Sequence, residues 1–137
     1  MRPVLFRLPP NSDLKREILK LCEKEKIQTG VIVSAVGSLT QAVLRIADGK
    51  TVITQTGPFE LTSLSGTLTN GSAHLHASLY DAAMLSFGGH VMEGCLIHTT
   101  MEITILDLSA DVTTTRDFDP VTGYDELVVH PKRMKTL

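Results

Sequence analysis

The chain has no tryptophan, and its two tyrosines and four phenylalanines bring aromatic residues to only 4% of 137. A core must therefore be assembled chiefly from Leu, Ile, Val, Met and Ala. Cysteine is also scarce: Cys22 and Cys95 are the only two, and their separation matches neither a Cys-x-x-Cys redox site nor a zinc knuckle. Cys95 lies in the apolar run Gly94-Cys95-Leu96-Ile97 and reads as a small buried hydrophobe. No stretch approaches the roughly 20 apolar residues of a membrane helix. Pro3, Arg7, Pro9 and Pro10 interrupt the first ten positions, where the apolar part of a leader would lie. The expectation is a cytoplasmic protein with no membrane partner. Neither sign of charge dominates, with 13 Lys and Arg against 15 Asp and Glu for a net charge of −2. That argues against a simple electrostatic grip on nucleic acid, which draws on clustered cations. There is no Gly-x-Ser-x-Gly elbow, and Gly88-Gly89 is not followed by the Lys-Ser/Thr of a P-loop. No nucleophile and no catalytic residue can be named from the sequence.

What is present is an ordinary globular balance, 42% hydrophobic and 20% charged, at a length suited to one domain. Residues 2–8 read as a strand. Asn11 or Ser12 can cap a helix in which Leu14, Ile18, Leu21 and Cys22 form one apolar stripe. Residues 31–36 are continuously apolar and read as a covered strand. A bend at Gly37-Ser38 precedes a second strand over 42–46, which returns through an Asp48-Gly49 turn. Gly57-Pro58 breaks the chain before a strand over 59–69, and Asn70-Gly71 turns it into a strand over 73–80. Residues 81–86 read as a loop and 95–106 as a long strand. Residues 111–126 are polar with a turn at Pro120 to Gly123, residues 127–129 form a short strand, and a basic tail begins at about 130. The expected fold class is α+β: a single compact domain over 1–137, with a mainly antiparallel or mixed sheet of about seven strands and one main helix packed on it.

The sharpest chemical signal is a histidine trio. His74 and His76 are separated by one residue in a predicted strand, so both imidazoles point to one face. His90 follows Gly88-Gly89, where the backbone can bend and approach closely. Three neutral imidazoles suit a divalent metal with a coordination position left open. Zinc is the leading candidate, with nickel, iron or manganese as alternatives. The competing reading is that the three rings satisfy one another and the sheet at a subunit interface. Glu93 and Glu102 are the nearest carboxylates that could orient a ligating imidazole or act as a base, and each is equally readable as an exposed surface acid. Arg45 could hold an anionic small-molecule ligand through its planar fork or form an interfacial ion pair. His98 reads as structural and His130 as a surface residue.

Several motifs in order carry a family resemblance. Gly37-Ser38, Leu44-Arg45 and the run Gly57-Pro58-Phe59-Glu60-Leu61-Thr62-Ser63-Leu64-Ser65-Gly66 are followed by His74-Leu75-His76 and Gly88-Gly89-His90-Val91-Met92-Glu93-Gly94. With Phe118-Asp119-Pro120-Val121-Thr122-Gly123-Tyr124-Asp125-Glu126-Leu127, the chain resembles the stand-alone prokaryotic members of the PPC domain family, also called DUF296. The resemblance implies a homotrimer, a metal site at His74, His76 and His90, and a role as a DNA-binding or regulatory module. The Arg-Gly-Arg-Pro type of AT-hook that precedes the domain in plants is absent from this sequence. A small metal-dependent enzyme of hydrolase or lyase type, built on the same three histidines, is the alternative function. A trimeric scaffold whose histidines only stabilise assembly is the third.

Overall fold

The computed structural model describes residues 1–132, and the tail positions Arg133 and Lys135 lie outside the described residues. Strand β1 (Arg2–Leu8) leads into helix α1 (Leu14–Glu25). The helix buries Leu14, Ile18 and Cys22, the stripe expected from the spacing of its apolar residues. Its cap is Asp13 rather than Asn11 or Ser12. One Asp13 carboxylate oxygen accepts from the Arg16 amide at 3.1 Å and the other from the Gly94 amide at 2.6 Å. The same side chain thus closes the helix end and ties it to the turn before a distant strand. Lys26 ends the helix in the left-handed region at φ 58°, with the Ile27 amide donating back to the Cys22 carbonyl.

The remaining elements are β2 (Thr29–Arg45), β3 (Val52–Thr69), β4 (Ser72–Tyr80), β5 (Ser86–Val91), β6 (Leu96–Asp107), β7 (Val112–Asp119) and β8 (Tyr124–Pro131). Eight strands are present, divided between two sheets. The two strands read on either side of Gly37-Ser38 are one 17-residue strand, β2. Gly57-Pro58 lies within β3 instead of breaking it, and the Gly88-Gly89-His90 segment is the strand β5. The polar stretch after residue 111 is a hairpin, β7–β8, with the expected turn between its strands. The Thr, Arg and Asp residues that fill most of β7 mask the strand, leaving only Val112 and Phe118 as apolar positions.

Six strands form one sheet in the order β1-β6-β2-β3-β4-β5, and β7 and β8 form a second. All pairings among the described residues are antiparallel, so the mixed alternative is not realised. β2 is long enough to change partners. It runs beside β6 from Gly30 to Gln41, then pairs with β5 at Leu44 and Arg45. This brings the far edge of the sheet back onto β2, so that β2, β3, β4 and β5 form a closed circuit. The core within and beneath it is aliphatic, with Leu39, Leu44, Leu75, Leu79, Ile97, Met101, Ile103 and Ile105 essentially inaccessible. An isolated two-stranded hairpin is marginal in water, and β7–β8 docks through polar contacts. Thr114 is buried with its hydroxyl 2.9 Å from that of Thr29, its backbone carbonyl accepts from the Asn70 side-chain Nδ2 at 2.9 Å, and Arg116 donates to the Thr67 hydroxyl at 2.8 Å. No helix among the described residues is long and apolar enough to cross a membrane.

Candidate metal centre and its cleft

Strict alternation along β4 buries Ala73, Leu75, Ala77 and Leu79 and turns His74 and His76 outward. The β4–β5 register then sets His76 directly opposite His90, with Ala77 opposite Gly89. Glycine is required at that second position. A Cβ on Gly89 would stand 2.7 Å from the Arg45 carbonyl oxygen, so only a bare backbone lets β5 lie between β4 and β2.

The three rings form a nearly equilateral triangle, with centroids 5.1, 5.2 and 5.5 Å apart. One ligand atom from each lies within 4.8 Å of the others. The Nε2 atoms of His74 and His76 are 3.3 Å apart. Two nitrogens bound to one tetrahedral zinc, each at ~2.1 Å, are separated by about 3.4 Å. That pair already has the spacing of a shared ion, and a modest ring rotation closes the wider separations. His90 supplies a further mark of fit: its Nδ1 is buried with no hydrogen-bond partner among the described residues. Leaving a buried polar atom unpaired costs about 1–3 kcal/mol, a cost that a ligand at the site would remove. The donor set of three imidazoles suits zinc and other borderline divalent ions.

Electrostatics favour the same chemistry. His90 is pushed down to about 4, first by burial and then by the positive charges of Arg45, His74, Lys15 and His76. His74 is also lowered, by burial, His76 and Arg116, with Glu126 opposing. Both rings are therefore neutral at pH 7, the form in which imidazole binds a metal.

Arg45 pairs in register with His90 across β2 and β5, so the sequence-level candidate does reach the centre. The two carboxylates do not. Glu93 is exposed and engaged by the Arg16 guanidinium at 2.7 and 2.9 Å. Glu102 sits on the outward face of the β1-β6-β2 sheet, paired with Arg7 and Val36, nine residues along β2 from Arg45. His98 is exposed on β6, and His130 is an exposed residue whose Nε2 lies 3.2 Å from the Thr115 hydroxyl. Residues without a signal in the sequence complete the surroundings. A cleft of about 400 Å³ is lined by His74, His90 and Arg45 together with Lys15, Arg116, Tyr124, Asp125 and Glu126. The turn at Pro120 to Gly123 was legible, but which side chains it returns to the histidines depends on how the hairpin docks. A larger concavity, about 670 Å³, lies along α1 beside Leu19 and Ile27, away from the imidazoles.

Comparison with known proteins places this geometry in a family. A bifunctional protein GlmU from Synechococcus sp. (strain JA-2-3B'a(2-13)) is 43% identical over 132 residues, covering 92% of this chain but 20% of that protein. The chain thus spans about one fifth of the length of the curated relatives it matches. A hypothetical protein from Salmonella enterica superposes with a TM-score of 0.91 at 33% identity, over 96% of this chain and 95% of the other. A metal-containing protein from Archaeoglobus fulgidus is similar at a TM-score of 0.74 and 26% identity, over 93% and 94% of the two chains. The model of the plants and prokaryotes conserved (PCC) domain matches residues 1–109, from β1 through β6, and the chain belongs to that family.

Proposed function

We propose that this protein is a metal-binding PCC-domain module that holds one divalent ion per chain, zinc foremost, on His74, His76 and His90. A single domain over 1–137, assembled as a homotrimer in the cytoplasm and serving a regulatory binding role, completes the reading. The observation that carries it is the convergence of three imidazoles from β4 and β5 with ligand atoms within 4.8 Å, one of them retaining an unpartnered buried nitrogen. The metal-containing relative from Archaeoglobus fulgidus supports it. Exposed Leu5, Val33 and Val36 on β1 and β2 offer apolar surface for self-association. The DNA-binding role implied by the family resemblance runs against the net charge of −2, and a titration with duplex DNA at low and moderate salt tests it separately.

A second reading, a small metal-dependent hydrolase or lyase, is favoured by the cleft that opens beside the histidines. A bound divalent ion would supply Lewis acidity to an oxygen ligand in its open position. This chain would bind and orient the substrate through Arg45. Neither Glu93 nor Glu102 is placed to serve it as a base.

Metal analysis of untagged protein tests the central claim. Wild type should retain about one ion per chain, and His74→Ala or His76→Ala should weaken retention by at least about 100-fold, beyond the effect of losing an outer-shell partner. Wild type that binds no stoichiometric zinc in a direct titration would remove both the module and the enzyme readings.

A further inference from the structure

We propose that the cleft between the histidines and the β7–β8 hairpin binds a small molecule bearing a carboxylate or phosphate, gripped by Lys15, Arg45 and Arg116. The inference rests on the metal reading in one respect: the anion would lie against the side of His74 and His90 that faces the cleft. At about 400 Å³ the cleft falls in the range of small-ligand sites.

Its three cations come from three separate elements, Lys15 from α1, Arg45 from the end of β2 and Arg116 from β7. All are half-buried, and among the described residues none lies within ion-pair distance of a carboxylate. Like charges brought together without direct ion-pair partners repel one another, and an anion between them relieves that cost. The two guanidinium groups are steadied without being neutralised. Arg116 is held by the Thr67 hydroxyl at 2.8 Å, and the Arg45 Cζ lies 6.0 Å from the centre of the Tyr124 ring. Planar forks fixed in this way match the paired oxygens of a carboxylate or phosphate.

Asp125 and Glu126 also line the cleft, leaving three cations against two carboxylates, a net of +1. They provide acceptors for hydroxyl groups on the same ligand. Arg116 and Tyr124 lie beyond residue 109, where the family match ends. The hairpin is thus the part of the cleft best placed to set which anion this chain prefers.

Inorganic phosphate and succinate are the probes, titrated separately against the protein as purified and after EDTA treatment. Ionic strength is held constant with chloride, and binding is read by amide NMR shifts. Saturable binding of one of them is expected, and which one binds tells phosphate from carboxylate recognition. Arg45→Gln and Arg116→Gln should each raise the Kd at least tenfold, Arg45→Lys should raise it less, and Glu93→Gln should leave it unchanged. Circular dichroism confirms that each variant is folded. If neither probe saturates, or folded Arg45→Gln and Arg116→Gln bind like wild type, the anion cleft is wrong. Retention of metal without anion binding would overturn the cleft and spare the metal centre. Anion binding that depends on the arginines in a protein that never retains metal would do the reverse.

Discussion

His90 should make the metal-free protein lose stability as the pH falls from neutrality toward about 4. In an unfolded chain the ring titrates near 6.5; in the fold, burial and then Arg45, His74, Lys15 and His76 push it down to about 4. Above 6.5 the ring is neutral in both states and adds nothing to the pH dependence. Between 6.5 and about 4 the unfolded state binds a proton that the native state refuses, so unfolding becomes easier with each step down. Below that window both states carry the proton and the loss levels off. At about pH 5 the full effect integrates to about 2 kcal/mol. Solvent reaches the half-buried ring and screens the neighbouring charges, which reduces the working figure to about 1 kcal/mol. With a urea dependence of roughly 1–3 kcal/mol/M, the denaturation midpoint should shift by about 0.5 M. Urea unfolding of EDTA-treated wild type and His90→Asn, compared at neutral pH and about pH 5, reads this ring together with its coupling to His74 and His76, while distant titrating groups cancel in the difference. A ring that titrates at or above 6.5 by NMR, or two stability curves that stay parallel, would refute the assigned environment.

Gly89→Ala should destabilise by about 1–3 kcal/mol and weaken metal retention, because the new methyl meets the Arg45 carbonyl and forces β5 away from β2. Thermal unfolding and metal analysis read the two effects. Leu75→Ala, at a fully buried position between the two outward histidines, should cost about 2–5 kcal/mol in urea unfolding while the metal still binds the folded fraction. Cys22, raised to about 11 by burial and by Asp107, and Cys95, raised chiefly by burial, should both resist alkylation until the protein unfolds. Rapid labelling of the native protein would contradict their placement in the core.

The elements that were legible share a local cause. The helix over Leu14–Glu25 announced itself through the spacing of its apolar residues, and the Asn70-Gly71 turn through residues that accept φ 43° and φ 81°. The fold departs from the local signals where a long-range partner overrides them. Gly37 and Pro58 read as breaks, yet β2 and β3 run through them: Gly37 pairs with Leu61, and Gly57-Pro58 is taken up as a register shift between the Leu39–Phe59 and Gln41–Thr56 pairs. Asp13 caps the helix in place of Asn11 or Ser12, and its second carboxylate oxygen is fixed by the Gly94 amide, 81 residues away. Glu93, readable either as a companion of the histidines or as a surface acid, takes its place for a similar reason. Closeness in sequence to His90 places it in the turn after β5, where Arg16 of the helix claims it.

Side-chain alternation requires only a strand and its neighbours one bond away, so the outward direction of His74 and His76 was settled by the residues themselves. That His90 completes their triangle depended on the register of β4 against β5 and on β2 switching from β6 to β5. The arrival of Lys15 and Arg116 at the same cleft depended on docking a helix and a hairpin that no periodicity connects. Such long-range pairings are selected by the burial of a shared core and by loop closure, quantities that belong to the folded chain as a whole.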